Sequence, residues 1–312
     1  GDELVSTIRR VYDMGESRRR AMPVMQPTTA ESAGGAAAQQ HPEGKLIAVF
    51  SPKGGSGCTM IAVNLAIAIR QVSKEAVALV DASLQFGDIA VMLNLQPTHS
   101  IADLVPQLDE MDKDMLDTVL TSHSSGIKVL LAPPRPEMAD LVIADHLLRV
   151  LDELRRHYDY VVVDTWTSLH DTVLIILDNA DLIVLPTTPD ISSLRNVRLF
   201  FDVTEQLDYP SEKVALILNK ADHRRSGIRA SDIEQSMKHP VVAEVPMDDV
   251  FALNSVNRGV PFVLSDNSRP ISQAVMQLAQ DLLELWAAEE VEQEEVPQED
   301  DAVRRRLGRF FR

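Results

Sequence analysis

Ser51-Pro52-Lys53-Gly54-Gly55-Ser56-Gly57-Cys58-Thr59 decides how this chain is read. A loop that cradles phosphates runs G-x-x-x-x-G-K-[ST]. Here Gly54, Gly55, Ser56, Gly57 and Thr59 fit its end, Cys58 stands in the lysine position, and a second lysine, Lys53, precedes the glycines. Glycines let backbone N–H groups converge on phosphate oxygens with no Cβ in the way. A helix starting near Gly57 adds the positive end of its dipole. Thr59 then presents a hydroxyl to the same place, as a Mg²⁺ ligand does. A glycine-rich strand-to-helix turn without a ligand is the alternative, and the order strand, loop, helix favours phosphate.

Working outward, apolar runs alternate with helical patterns from Lys45 on. Strands are expected at 46–51, 76–81, 127–132, 159–164, 181–186, 213–219 and 241–246. Helices are expected near 57–71, 139–157, 170–179, 190–207, 229–237, 248–257 and 271–288. Runs such as Tyr160-Val161-Val162-Val163 and Leu182-Ile183-Val184-Leu185 are apolar at every position, as in strands covered on both faces. The expected fold is α/β: a three-layer sandwich in which helices flank a mostly parallel twisted sheet.

With 312 residues there is room for one large α/β domain, at 45–288, plus appendages. The 45% hydrophobic content is ample for a core, and the net charge of −17 argues against nucleic acid as a partner. No apolar run approaches the ~18 residues of a membrane span, and no secretory signal is visible. Cys58 is the single cysteine and cannot form an internal disulfide, so a reducing cytoplasm is the expected setting. Residues 1–20 include an amphipathic pattern over 2–12 (Leu4, Ile8, Val11, Tyr12) that reads as a terminal helix, either frayed or, since it resembles the closing helix of a response-regulator receiver domain, the last element of a preceding domain. Residues 21–44, rich in Pro, Ala, Gly, Gln and Thr, read as a flexible linker.

The K-G-G-x-G-x-T loop resembles the deviant Walker A motif of the MinD/ParA family of P-loop ATPases, and the resemblance covers roughly residues 45–286. It implies ATP and Mg²⁺ as cofactors and a nucleotide-sandwich homodimer in which Lys53 reaches the partner's phosphates. It also implies nucleotide contacts along Lys53, Gly54, Gly55, Ser56, Gly57, Cys58, Thr59 and Met60. Asp81 closes a strand like the family's second-strand aspartate, and Asp164 closes a Walker B-like strand. With Thr59 they form the implied Mg²⁺ set. Asn219-Lys220 resembles the adenine-reading segment, and Val245-Pro246-Met247-Asp248 a later segment near the base, so Asn219, Lys220, Pro246 and Asp248 are expected at the nucleotide.

Two departures bear on chemistry. The thiol of Cys58 cannot supply the charge that a lysine places between the β- and γ-phosphates; losing such a contact commonly costs about 10²–10³ in rate. The family's D-x-D is here Asp81-Ala82-Ser83, and serine is a poor base for the attacking water. Lys53, Asp81 and Asp88 are the remaining catalytic candidates. The expectation is ATP binding with slow or absent hydrolysis. Cys58 at a helix N-terminus also raises a redox role, against the plainer reading of a small residue tolerated in the loop.

Asp81-Ala82-Ser83-Leu84-Gln85-Phe86-Gly87-Asp88-Ile89-Ala90, His99-Ser100-Ile101-Ala102-Asp103-Leu104, Thr188-Pro189-Asp190-Ile191-Ser192-Ser193-Leu194-Arg195-Asn196 and Asn257-Arg258-Gly259-Val260-Pro261-Phe262 resemble CpaE/TadZ pilus-assembly proteins. That branch implies a receiver-like N-terminal domain. It also implies a role at the cell pole or membrane, assembling the type IVb (Flp/Tad) pilus secretion machinery. An acidic spacer, 289–302, precedes a basic tail, 303–312, in which Val303, Leu307, Phe310 and Phe311 share a face and Arg304 opens the arginines. The tail resembles the membrane-targeting helix of MinD and is expected to bind an anionic membrane surface on the inner face of the cytoplasmic membrane. A disordered charged end, or pairing with the acidic run, is the alternative. The other functional reading is an active ATPase switch of the septum-site or partitioning type.

Overall fold

The computed structural model describes residues 43–294 except 223 and 225, with side chains described to 288. The helix expected over 2–12, the linker up to residue 42, the spacer beyond residue 294 and the tail at 303–312 lie outside the described residues.

Eight strands form one sheet: β1 (Lys45–Val49), β2 (Val77–Asp81), β3 (Thr121–Ser122), β4 (Lys128–Leu130), β5 (Tyr160–Asp164), β6 (Leu182–Thr187), β7 (Val214–Ala221) and β8 (Val241–Pro246). Their order is β3-β4-β2-β5-β1-β6-β7-β8. All pairs are parallel except β3 with β4. The seven expected strands are present, each within three residues of its expected ends; the two-residue β3 is too short to leave a pattern in the sequence.

The strands are apolar throughout because each face of the sheet has its own core. Leu46, Ala48, Ala78, Val80, Val161 and Val163 point into one, and Ile47, Val49, Val77, Leu79 and Val162 into the other. Alternate residues of a strand must face opposite ways, so a run without a polar position requires cover on both sides. The first face is covered by α4 (Ala144–His157), α5 (Asp171–Asn179), α6 (Ile191–Gln206) and α7 (Ala230–Met237). The second is covered by α1 (Cys58–Ser73), α9 (Phe262–Ser265) and α10 (Pro270–Glu294). Each aliphatic side chain buried this way contributes about 1.5–3 kcal/mol.

Helix α1 packs on the sheet beside α10, and its residues from Ile61 to Ile69 are all buried. On α10, Ile271, Val275, Leu278, Leu282 and Trp286 form one stripe, ending with Trp286 stacked on Tyr160 at 5.7 Å between ring centroids. The helix expected at 139–157 starts only at Ala144. Pro136 opens a 3₁₀ stretch to Leu141, and Val142 and Ile143 are extended. Three short helices, α2 (Ile89–Met92), α3 (Lys113–Val119) and α8 (Asp249–Arg258), complete the described set, and only α8 is long enough to have been anticipated.

From β1 the chain crosses to β2 on one side of the sheet, and from β5 it passes over β1 to β6 on the other. Ligands of open α/β sheets bind beyond the strand C-termini at such a reversal. The glycine loop follows β1 at that point.

Candidate functional site

A cavity of about 520 Å³ opens above the C-terminal ends of β1, β5, β7 and β8. Lys53, the loop from Gly54 to Gly57, Cys58, Thr59 and Met60 line it, with Asp88, Asn219, Lys220, Pro246 and Asp248 around them. The structure thus brings together all the expected nucleotide-contacting residues. Asp81 and Asp164 lie beneath the cavity.

The loop bends through Gly55 at φ +80° and Gly57 at φ +95°, values that a side chain resists. At Gly57 there is no room either: a Cβ would overlap the Asn219 amide nitrogen. Gly57 is the N-cap of α1, and no side chain caps that end, so its N–H groups are left for a ligand.

Cys58 is 9% exposed. Burial, aided by the negative charge of Asp164, pushes its thiol up to about 12, against a weaker opposing contact with Ser56 at 3.6 Å. Raised in this way, the thiol favours its neutral form, which supplies no charge and suits the plainer reading of Cys58 better than a redox role.

Asp81 and Asp164 end adjacent strands and are register partners. Asp81, 1% exposed, accepts N–H bonds from Ser83 and Ile89, both at 3.2 Å, which fold the 82–88 loop over it. Burial pushes its carboxyl up to about 7, against those N–H bonds. Asp164 is fully buried, and neither of its oxygens, nor Ser51 Oγ, has a hydrogen-bond partner. Burial, then the charge of Asp81, raises Asp164 well above the usual carboxylate range, while the nearby Thr59 hydroxyl favours ionisation too loosely to count as a bonded donor. A buried carboxylate without partners is costly. A hard cation between Thr59 and Asp164 would relieve it, so these residues fit Mg²⁺. Among the described residues no group of three or more His, Cys, Asp or Glu side chains could hold a metal by itself.

Lys53 is turned onto Asp190 at 2.7 Å. Asp190 is the N-cap of α6, accepting from the Ser193 N–H, and also accepts from the Thr188 hydroxyl at 2.6 Å. Burial would raise Asp190, but the hydrogen bonds from Lys53, Thr188 and Ser193 outweigh it and bring the carboxyl to about 2. Asp190-Ile191-Ser192-Ser193 carries an N-cap signal in the sequence, which marks a helix start and not the lysine that Asp190 meets. Asn219 Nδ2 donates to the Ser56 carbonyl at 2.7 Å, and Lys220 Nζ to the Gly55 carbonyl at 2.9 Å. Asp248 caps α8 through the Phe251 N–H and pairs with Arg269 at 3.2 Å. Phe86 and Trp166, exposed and 6.4 Å apart, form the lip of the cavity, and nothing in the sequence pattern had placed Trp166 there. No helix among the described residues is long and apolar enough to cross a membrane.

An AAA domain family model matches residues 44–214. The chain is 25% identical over 234 residues to the septum site-determining protein MinD of Thermotoga maritima, covering 72% of this chain and 83% of that one. A ParA family ATPase from Chlorobium tepidum has a similar structure, with a TM-score of 0.70 at 27% identity, over 76% of this chain and 98% of that one. MinD of Pyrococcus horikoshii, complexed with Mg-ADP, shares the fold with a TM-score of 0.67 at 21% identity, over 76% and 95% of the two chains.

Proposed function

Because the chain belongs to the AAA domain family, as a P-loop ATPase of the MinD/ParA kind, we propose that it binds ATP with Mg²⁺ in the cavity above the 53–60 loop. The observation that carries this reading is the uncapped start of α1 under a glycine loop, with the unpartnered Asp164 carboxylate below it. Thr59 and Asp164 would hold Mg²⁺, which when bound offsets phosphate charge; Asp81, expected in the same set, spends its two oxygens on the Ser83 and Ile89 N–H groups. The loop N–H groups would hold the phosphates, and Pro246 and Asp248 would border the base end. With Cys58 neutral and Ser83 in place of a second aspartate, hydrolysis is slow or absent.

Lys53 engages Asp190 of its own chain. In a nucleotide-sandwich homodimer it would exchange that carboxylate for the phosphates of the partner. Titration calorimetry with ATP tests the reading. Heat of association should appear with Mg²⁺, and the affinity should fall at least about tenfold, one charge-assisted contact's worth, without Mg²⁺ or in Asp164→Asn. No heat at millimolar ATP and Mg²⁺ would end it.

The finer reading is a CpaE/TadZ-type scaffold. As an ATP-bound dimer it localises or assembles the type IVb (Flp/Tad) pilus machinery on the inner face of the cytoplasmic membrane, held there by the 303–312 tail. The segments at 81–90, 99–104, 188–196 and 257–262 support it. A fluorescent fusion should form foci at the pilus machinery; a diffuse signal in piliated cells would count against it. The second reading, an active spatial switch, draws on the likeness to MinD and ParA proteins. Phosphate release stimulated by liposomes or a partner would favour it.

A further inference from the structure

Asn219 and Lys220, expected beside the base, have both side chains on the phosphate loop itself. We propose that the pair is a positioning clamp, which turns the Gly55 and Ser56 carbonyls outward and thereby aims the following N–H groups at phosphate. The inference rests on the nucleotide-binding reading of the same cavity and gives these two residues a different task within it.

A trans peptide unit points its C=O and its N–H in opposite directions. With the Gly55 carbonyl on Lys220 Nζ at 2.9 Å, the Ser56 N–H faces the other way. With the Ser56 carbonyl on Asn219 Nδ2 at 2.7 Å, so does the Gly57 N–H. Both carbonyls are drawn to the end of β7, and both N–H groups are left for the concave side of the loop. Successive N–H groups aimed this way make an anion-binding nest.

Three further observations show that the clamp is built. Asn219 is buried, and its Oδ1 accepts the Lys220 N–H at 2.9 Å, so both ends of the amide are engaged within the protein. Lys220 is held at φ +55°, a left-handed conformation costing a lysine about 1–2 kcal/mol. Strain of this kind persists only where the surroundings impose it. Gly57 has no space for a Cβ because the Asn219 amide occupies that space, so loop and clamp are fitted to each other.

The clamp also bears on charge. Lys53 and Lys220 are the only lysine or arginine side chains among the described residues lining the cavity, and Lys53 faces Asp190. With cysteine and not lysine at position 58, the Lys220 ammonium is the cation joined to the loop. Its bond to the Gly55 carbonyl polarises the Gly55–Ser56 peptide and makes the Ser56 N–H a stronger donor.

Inorganic triphosphate separates this role from base recognition, since it has no base. Binding of Mg-triphosphate and Mg-ATP would be measured for the unaltered protein, Lys220→Met, Lys220→Arg and Asn219→Ala. Amide order at Ser56 and Gly57 would be followed by ¹⁵N relaxation without ligand. Lys220→Met should weaken both ligands by the same factor, about 10–100-fold for one charged hydrogen bond, and Lys220→Arg should recover part of it. The order of the Ser56 and Gly57 amides should fall in Asn219→Ala. A loss confined to ATP, with triphosphate unaffected, would return the pair to base reading and overturn the clamp. Unchanged amide order in Asn219→Ala would overturn it as well. If the unaltered protein bound neither ligand, the nucleotide reading would fall, and the relaxation measurement would still decide whether the clamp exists.

Discussion

Replacing Asp81 by asparagine should make the ligand-free protein less stable in acid and more stable in base. The Asp81 carboxyl is pushed up to about 7, by burial first, from 3.8 in an unperturbed chain. Below 3.8 the folded and unfolded states are both protonated, and the site costs nothing. As pH rises toward 7, the unfolded chain gives up its proton while the folded chain keeps it, so stability falls. The slope ends once the folded carboxyl has ionised too. About three pH units at about 1.4 kcal/mol each give a loss of about 4 kcal/mol. Asparagine cannot ionise and escapes that loss. It has one carbonyl oxygen, however, where Asp81 uses Oδ1 for the Ser83 N–H and Oδ2 for the Ile89 N–H. One buried N–H is left unpaired, at about 1–3 kcal/mol. The unaltered protein should therefore be ahead by about 1–3 kcal/mol near pH 4 and behind by about as much near pH 8. Urea unfolding without Mg²⁺, repeated from pH 4 to pH 8.5, measures it. His123 and His239, both lowered by burial, titrate alike in the two proteins and cancel in the difference; Asp164, raised in part by the charge of Asp81, is relieved in the variant, which adds to the variant's advantage at high pH. A stability difference that keeps one sign and one size across that range would refute the buried-carboxylate account.

Gly57→Ala meets both a left-handed φ and the Asn219 amide, and should destabilise by about 2–4 kcal/mol in thermal unfolding; a melting temperature within a degree of the original would show that the loop is softer than described. Cys58→Lys restores a cation where the thiol is neutral and should raise phosphate release by about 10²–10³. Unchanged turnover with bound ATP would place the bottleneck at Ser83. Asp190→Asn keeps the helix cap but frees Lys53; stability should shift by less than about 1 kcal/mol, since the pair is partly exposed, while ATP-dependent dimerisation strengthens in sedimentation velocity. Deleting 303–312 should abolish co-sedimentation with anionic liposomes; unaltered binding would remove the membrane role of the tail.

Much of the fold was legible because its rules are local. An unbroken apolar run such as Tyr160 to Val163 needs cover on both faces, and that condition alone points to a sheet between helix layers. Glycines before Cys58-Thr59 mark a strand-to-helix turn with convergent N–H groups. The short elements between β2 and β4 escaped notice because helices of one or two turns are too brief to establish a period.

By itself, the chain's order of residues determined the layer architecture, the position of the loop and the absence of a lysine from it, since periodicity, steric freedom and residue identity are properties of neighbours. Only the tertiary structure decided what each charge does. Lys53 meets Asp190 across 137 positions, and Asn219 meets Ser56 across 163. Asp81 and Asp164 face each other because β5 inserts between β1 and β2. Strand order chooses those partners, and in the buried, low-dielectric floor of a parallel sheet the partner sets whether a group is charged, neutral or tied down.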